Sequence, residues 1–167
     1  HESVISSLQQ GGGNIGILPF SIIHRGYDDE HRLIQKAERN VSLMSTYLAL
    51  HPDDPPMLLH YGMGLVTLKR YEEAQKVLTS LVSTNCISSL TATAYNLLAQ
   101  IANEQKNYKA ALEYAEKSLK LIPEQLYARK LAAVALMYLF DYSEAEQMLL
   151  SIKELLLRKN SDPQTIY

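Results

Sequence analysis

Few residues of this chain could do covalent or metal chemistry, and none is framed for it. The 167 residues include five histidines and one cysteine. Cys86 stands alone, so no internal disulfide can form, and no Cys/His cluster has zinc-site spacing. Serine, histidine and aspartate all occur, but no G-x-S-x-G turn frames a serine as a nucleophile. The glycine run Gly11–Gly13 lacks the Lys-Ser/Thr that would make it a phosphate loop, and reads as a turn. His51 and His60 flank a proline-rich link and are expected at the surface. The residues point away from catalysis and toward binding.

Composition narrows the partners. Sixteen Lys and Arg against eighteen Asp and Glu leave a formal charge of −2. That is no field for gathering nucleic acid or an anionic membrane. A hydrophobic content of 47% is enough to bury a core in one ordinary domain, or in a small domain with an appendage. No apolar run approaches the roughly 20 residues that cross a bilayer. The opening HESVISSLQQGGG has neither the basic start nor the apolar stretch of a signal peptide, so the cytoplasm is expected. Because the chain opens on His1 rather than Met, a fragment, a processed product or a tag remnant is expected.

The elements that position these residues are set by a repeat. Three segments align on a tyrosine followed three residues later by an alanine: Tyr71/Ala74 in RYEEAQKVL, Tyr108/Ala111 in NYKAALEYA and Tyr142/Ala145 in DYSEAEQML. The alanines lie 37 and then 34 residues apart. Such a period with paired helices resembles a tetratricopeptide array. The resemblance places Gly62, Ala99 and Ala133 where a small residue lets the two helices of a repeat approach closely, and Leu78, Ala115 and Leu149 at a core position of the second helix. Only the second repeat ends on the family's proline, Pro123; Cys86 and Leu157 stand there in the others. Local chemistry agrees. Asp54 before Pro55 is an N-cap with proline in the first turn, Asn107 and Asp141 are N-caps of second helices, and Asp141 with Glu144 has capping-box spacing. Apolar stripes at helical spacing, such as Leu112, Ala115 and Leu119, complete the pattern.

The expectation is an all-α solenoid of three antiparallel helix pairs over 55–167, with repeats at about 55–88, 92–125 and 126–159. Its helices are expected at 55–69, 72–84, 90–105, 109–121, 125–139 and 143–158. Residues 28–54 are read as a connecting and capping helix, with Leu33, Ile34, Ala37, Val41, Met44 and Leu48 as its apolar stripe.

In tetratricopeptide proteins the first helices line a groove that takes extended peptides. The resemblance carries this role to His60 and Met63, then Asn96, Gln100 and Asn103, then Lys130, Val134 and Tyr138, with Val66, Thr67, Thr93, Glu104, Tyr127 and Met137 also facing outward. Amides could bond a peptide backbone while Met and Tyr supply adaptable contact area. The alternative is a solvated surface with no specific ligand. The clamp of Lys, Asn and Arg used by chaperone-tail binders is absent, its positions holding Leu59, Met63, Leu97, Tyr127 and Leu131. The last helix carries Met148, Leu149, Ile152, Leu155 and Leu156, more apolar surface than one partner can cover. Either further repeats follow or two copies pack end to end as a homodimer; Asp162 and Pro163 look like the start of another helix.

Residues 1–27 have another texture: a helix-like ESVISSLQQ, the glycine run, then ILPFSIIHRGY, read as one strand ending at His24. The order of His1 and Glu2, a Gly-rich turn, a short strand, His24, Gly26 and Tyr27, then Glu38, Arg39 and Asn40 before the repeats, resembles the tail of bacterial family 2 glycosyltransferases with appended tetratricopeptide repeats. The resemblance implies a parent enzyme that transfers a sugar from a nucleotide diphosphate with inversion. His24 would help hold a diphosphate-bound divalent metal, Mg or Mn, and Glu2 would lie near the acceptor as its general base. The chain has no Asp-x-Asp, so the donor site would lie upstream and the fragment itself would need no cofactor. Read without that parent, His24 is a strand-end histidine bonding backbone and Glu2 a carboxylate at a helix N-terminus.

Overall fold

The computed structural model of the chain describes residues 30–84 and 86–161, and for Glu30 and 159–161 only the backbone. The expected strand, Glu2 and His24 lie outside the described residues. The chain divides after Leu33 into two units, and the unit from Ile34 on holds the repeats. Every element among the described residues is a helix: α1 Glu30–Leu50, α2 Pro55–Thr67, α3 Tyr71–Ser83, α4 Ser88–Glu104, α5 Tyr108–Leu121, α6 Leu126–Tyr138 and α7 Tyr142–Ser161. From α2 onward each helix packs on the next, and α4 packs also on α2 and α6. This is the helix-pair solenoid of the tetratricopeptide type: α2/α3, α4/α5 and α6/α7 are its three repeats.

The boundaries follow from caps. The Asp54 carboxylate accepts from the Met57 N–H at 3.0 Å, and Pro55 and Pro56 occupy first-turn positions where a missing N–H costs nothing. Asn107 accepts from the Ala110 N–H at 3.3 Å and Asp141 from the Glu144 N–H at 3.2 Å. In the first repeat that place is held by Arg70, which makes no cap bond and instead grips Glu73 with two bonds of 2.7 and 2.6 Å. The guanidinium holds the Glu73 carboxyl below its usual range, although both groups are exposed and screened.

The first helix of every repeat ends the same way. Lys69, Lys106 and Phe140 have φ of 57°, 60° and 64°, the left-handed conformation that favours glycine. The N–H of the following residue reaches back in each case, Arg70 to Leu65 O at 2.9 Å, Asn107 to Ala102 O at 2.8 Å and Asp141 to Leu136 O at 3.0 Å. These are Schellman turns built without glycine. Lys106→Gly is therefore expected to raise stability by about 1 kcal/mol, relief of the left-handed strain exceeding the entropy that glycine adds to the unfolded chain. Chemical denaturation followed by circular dichroism checks it, with Lys106→Ala as a control that gains nothing.

Packing uses the small residues at the close approaches. A Cβ at Gly62 would lie 2.6 Å from Leu78 Cδ2, so glycine is what lets α2 close on α3. A Cβ at Gly64 would lie 2.6 Å from Val41 Cγ2, which seats α1 on α2 beside buried Val41. The larger core, with Leu65, Leu78, Leu81, Leu98 and Ile101 all but sealed, fills the seam between the first two repeats. The seam between the second and third is built mostly of alanines around Leu131. On α7, Leu155 is buried, whereas Leu149, Leu150 and Leu156 are 49%, 51% and 46% exposed. The equivalents of Leu149 in the earlier repeats, Leu78 and Ala115, are fully buried.

Candidate functional site

With intervals of 37 and 34 residues, the positions facing the groove can be compared between repeats. Met63, Val66, Thr67, Lys69 and Tyr71 of the first repeat correspond to Gln100, Asn103, Glu104, Lys106 and Tyr108 of the second, and to Val134, Met137, Tyr138, Phe140 and Tyr142 of the third. Two recesses open at these positions. One, of about 670 Å³, is lined by the five first-repeat residues together with Thr93, Asn96, Leu97, Gln100 and Glu104 of α4 and Tyr127 of α6. The other, of about 640 Å³, is lined by the five third-repeat residues alone and holds no charged side chain.

The expected groove residues divide accordingly. Met63, Asn96 and Gln100 line the first recess, and Val134 and Tyr138 the second. His60 and Lys130 are exposed and line neither. The two asparagines are engaged within the fold. The Asn96 side-chain N–H2 donates to Gln125 Oε1 at 2.5 Å, and that of Asn103 donates to the Leu131 carbonyl at 3.2 Å. In both residues the buried Oδ1 is the atom left without a partner. Gln100 is placed the opposite way. Its Oε1 accepts from the Tyr127 hydroxyl at 3.0 Å, and its N–H2 makes no bond among the described residues. Of the three amides, Gln100 is the one that lines the recess with its N–H2 unengaged among the described residues.

Behind the groove lies a buried polar relay that the sequence reading missed. Ser118 Oγ donates to the Ala92 carbonyl at 2.9 Å and accepts from Gln125 Nε2 at 3.0 Å, while Gln125 Oε1 accepts from Asn96. It joins α4, α5 and the start of α6, and it fixes Asn96 at the groove wall. The signal was in the repeat register, because Ser118 stands where the flanking repeats have Leu81 and Ile152. Arg129 adds a second tie, donating to Ser151 Oγ at 2.7 Å and to the Pro123 carbonyl at 2.8 Å.

The aromatic side chains follow the register as well. Tyr138 stacks on Tyr108 at 4.4 Å between ring centroids, with 5° between planes, and Phe140 meets Tyr142 edge-on at 6.3 Å. Phe140 is 78% exposed, displayed by its left-handed backbone where the other repeats have lysines. In the first recess Tyr71 and Tyr127 have phenol pKa values raised, first by burial and then by the Glu104 carboxylate. No group of three His, Cys, Asp or Glu residues that could hold a metal ion occurs among the described residues. No helix among them is long and apolar enough to cross a membrane.

Comparison with known proteins agrees with this architecture. The tetratricopeptide repeat family profile matches residues 91–122, a stretch within the second repeat. No curated protein matches the sequence. Among solved structures, the chain is similar to an ArsTM double mutant of MamA RS-1, at 22% identity and a TM-score of 0.69, covering 81% of this chain and 80% of that one. MamA 41-end from Desulfovibrio magneticus RS-1 aligns at 21% identity and a TM-score of 0.67, with 81% and 80% covered. MamA AMB-1 follows at 17% identity and a TM-score of 0.63, with 80% and 82% covered. At these identities the likeness is one of fold.

Proposed function

We propose that this chain is a protein-interaction module that holds an extended peptide along the first helices of its repeats. The recess between α2, α4 and α6 carries the reading. Met63 and Tyr127 offer adaptable apolar contact, and the unengaged Gln100 N–H2 is placed to donate to a peptide carbonyl. Peptides selected from a random phage-displayed library on the wild-type chain should bind Gln100→Ala about five-fold and Tyr127→Ala about ten-fold more weakly, the scale of one neutral hydrogen bond and one aromatic anchor. Fluorescence anisotropy reads both. Equal binding by wild type and both variants would sink the reading.

The finer reading is that the repeats form the distal part of a family 2 glycosyltransferase and present its acceptor. The order of His1, Glu2, His24, Gly26 and Tyr27 before the solenoid supports it, with Glu2 as acceptor-side base and His24 beside a divalent metal of the parent enzyme. The upstream coding sequence decides: a nucleotide-sugar domain with Asp-x-Asp is required, and a start codon beside His1 rules it out. A stand-alone scaffold is the alternative. It is favoured by the likeness to solenoid structures over about four fifths of both chains. The exposed Leu149, Leu150 and Leu156 of α7 further support end-to-end contact between two copies, which light scattering would register as a doubled mass and a monomer mass would refute.

A further inference from the structure

Glu104 ends α4 in the wall of the first recess, and its carboxylate makes no hydrogen bond or ion pair among the described residues. It shares that recess with two tyrosines, Tyr71 and Tyr127, whose phenols feel its charge. In repeat register Glu104 stands to Tyr71 as Tyr138 stands to Tyr108. In the second seam that relation is a stack of two rings, and in the first it sets a carboxylate beside a ring. A carboxylate that shares a recess with two phenol rings is a setting for a cation, attracted by the charge and, over a ring, by its quadrupole. Lys69 is the other charged side chain lining the recess, and it is exposed. Two repeats further on, the lining holds no charged side chain, with Phe140 and Tyr138 displayed to solvent.

We propose that the ligand of this groove is a peptide bearing a lysine or arginine that meets Glu104 between Tyr71 and Tyr127, with a neighbouring aromatic or branched aliphatic residue seated against Tyr138 and Phe140. The inference rests on the peptide-groove reading above and gives it a sequence preference. The exposed apolar recess alone would accept many segments; the unpaired carboxylate beside it selects among them by charge.

Selection of a random phage-displayed peptide library on the whole chain tests it, run in parallel on wild type, Glu104→Lys, Lys69→Gln and Tyr138→Ala. Wild type should enrich peptides with a basic residue at a fixed spacing from an apolar one. A synthetic peptide of that motif should lose about ten-fold or more in affinity on Glu104→Lys, and should recover it when its own basic residue is changed to glutamate. Lys69→Gln should bind the original peptide at least as tightly as wild type, and Tyr138→Ala should lose the apolar half of the motif. Glu104 is exposed at a helix C-terminus, where lysine suits the helix dipole, so the reversed variant should keep its helical circular dichroism. Peptides that depend on Gln100 and Tyr127 but carry no basic residue would overturn this inference and leave the groove reading standing. An acidic motif lost on Lys69→Gln would do the same. No enrichment on wild type would remove both.

Discussion

Gly62→Val should destabilise the chain by about 3 kcal/mol, read as a lower denaturation midpoint with the helical signal at zero denaturant retained. Even a bare Cβ at this position would stand 2.6 Å from Leu78 Cδ2 and 2.9 Å from its Cγ. Leu78 is fully buried between α2 and the first helix of the next repeat, so it cannot swing aside into solvent. The interior there is close-packed, and one added methyl group must be met by movement of a whole helix. Valine is a better helix former than glycine by only a few tenths of a kcal/mol, far less than the clash. Leu78→Ala alone should also destabilise, but in the Gly62→Val background it should restore part of the loss, giving a coupling energy above about 1 kcal/mol in a double-mutant cycle. Additive effects would show that the two side chains do not compete for one space.

Ser118→Ala should cost about 2 kcal/mol although it removes a single oxygen. That oxygen is buried and stands between two groups, donating to the Ala92 carbonyl and accepting from Gln125 Nε2. Its loss takes one bond from the Ala92 carbonyl, which keeps its helix bond to the Asn96 N–H, and leaves Gln125 Nε2 with only a long 3.4 Å bond to the Ser118 carbonyl. An unsatisfied buried polar group costs roughly 1–3 kcal/mol, more than the hydrogen bond it lost was worth. Ser118→Leu would restore the apolar residue of the neighbouring repeats, but it would bury the glutamine amide against hydrocarbon and should be worse than alanine. Urea titrations of the two variants check the order. Alanine at wild-type stability would mean that the relay contributes nothing.

Much of this was legible because helices announce themselves by period and cap. Tyr71/Ala74 and its two copies fixed the register, and Asp54, Asn107 and Asp141 fixed where helices begin, since a side-chain oxygen at a helix start acts locally. Gly62 was legible for the same reason, as a small residue at one phase of the repeat. The roles of Asn96 and Asn103 were not, because whether an outward amide meets solvent or a neighbour depends on the packing of the next repeat. The sequence assigns both to the groove; Gln125 and the Leu131 carbonyl take their donors instead. The left-handed turns at Lys69, Lys106 and Phe140 gave no warning, because the residue that usually marks such a turn is glycine and none stands there.

The unequal seams set an order of opening. Between the first and second repeats the contact is made by leucines and isoleucine; between the second and third it is made mainly by methyl groups of Ala99, Ala102, Ala111, Ala115, Ala132 and Ala135. In an array held together by nearest-neighbour contacts, the seam that buries less hydrocarbon is expected to part first, even with the Asn96–Gln125 and Asn103–Leu131 bonds that cross it. Amide protons of α6 and α7 should accordingly exchange with solvent through a sub-global fluctuation that leaves α2 to α4 protected. The recess with the unpaired carboxylate then rests mainly on the rigid part of the array and the aromatic recess on the pliable part. A segment spanning both would act as a splint, and its presence would be written in slowed exchange at the far end rather than at the near one.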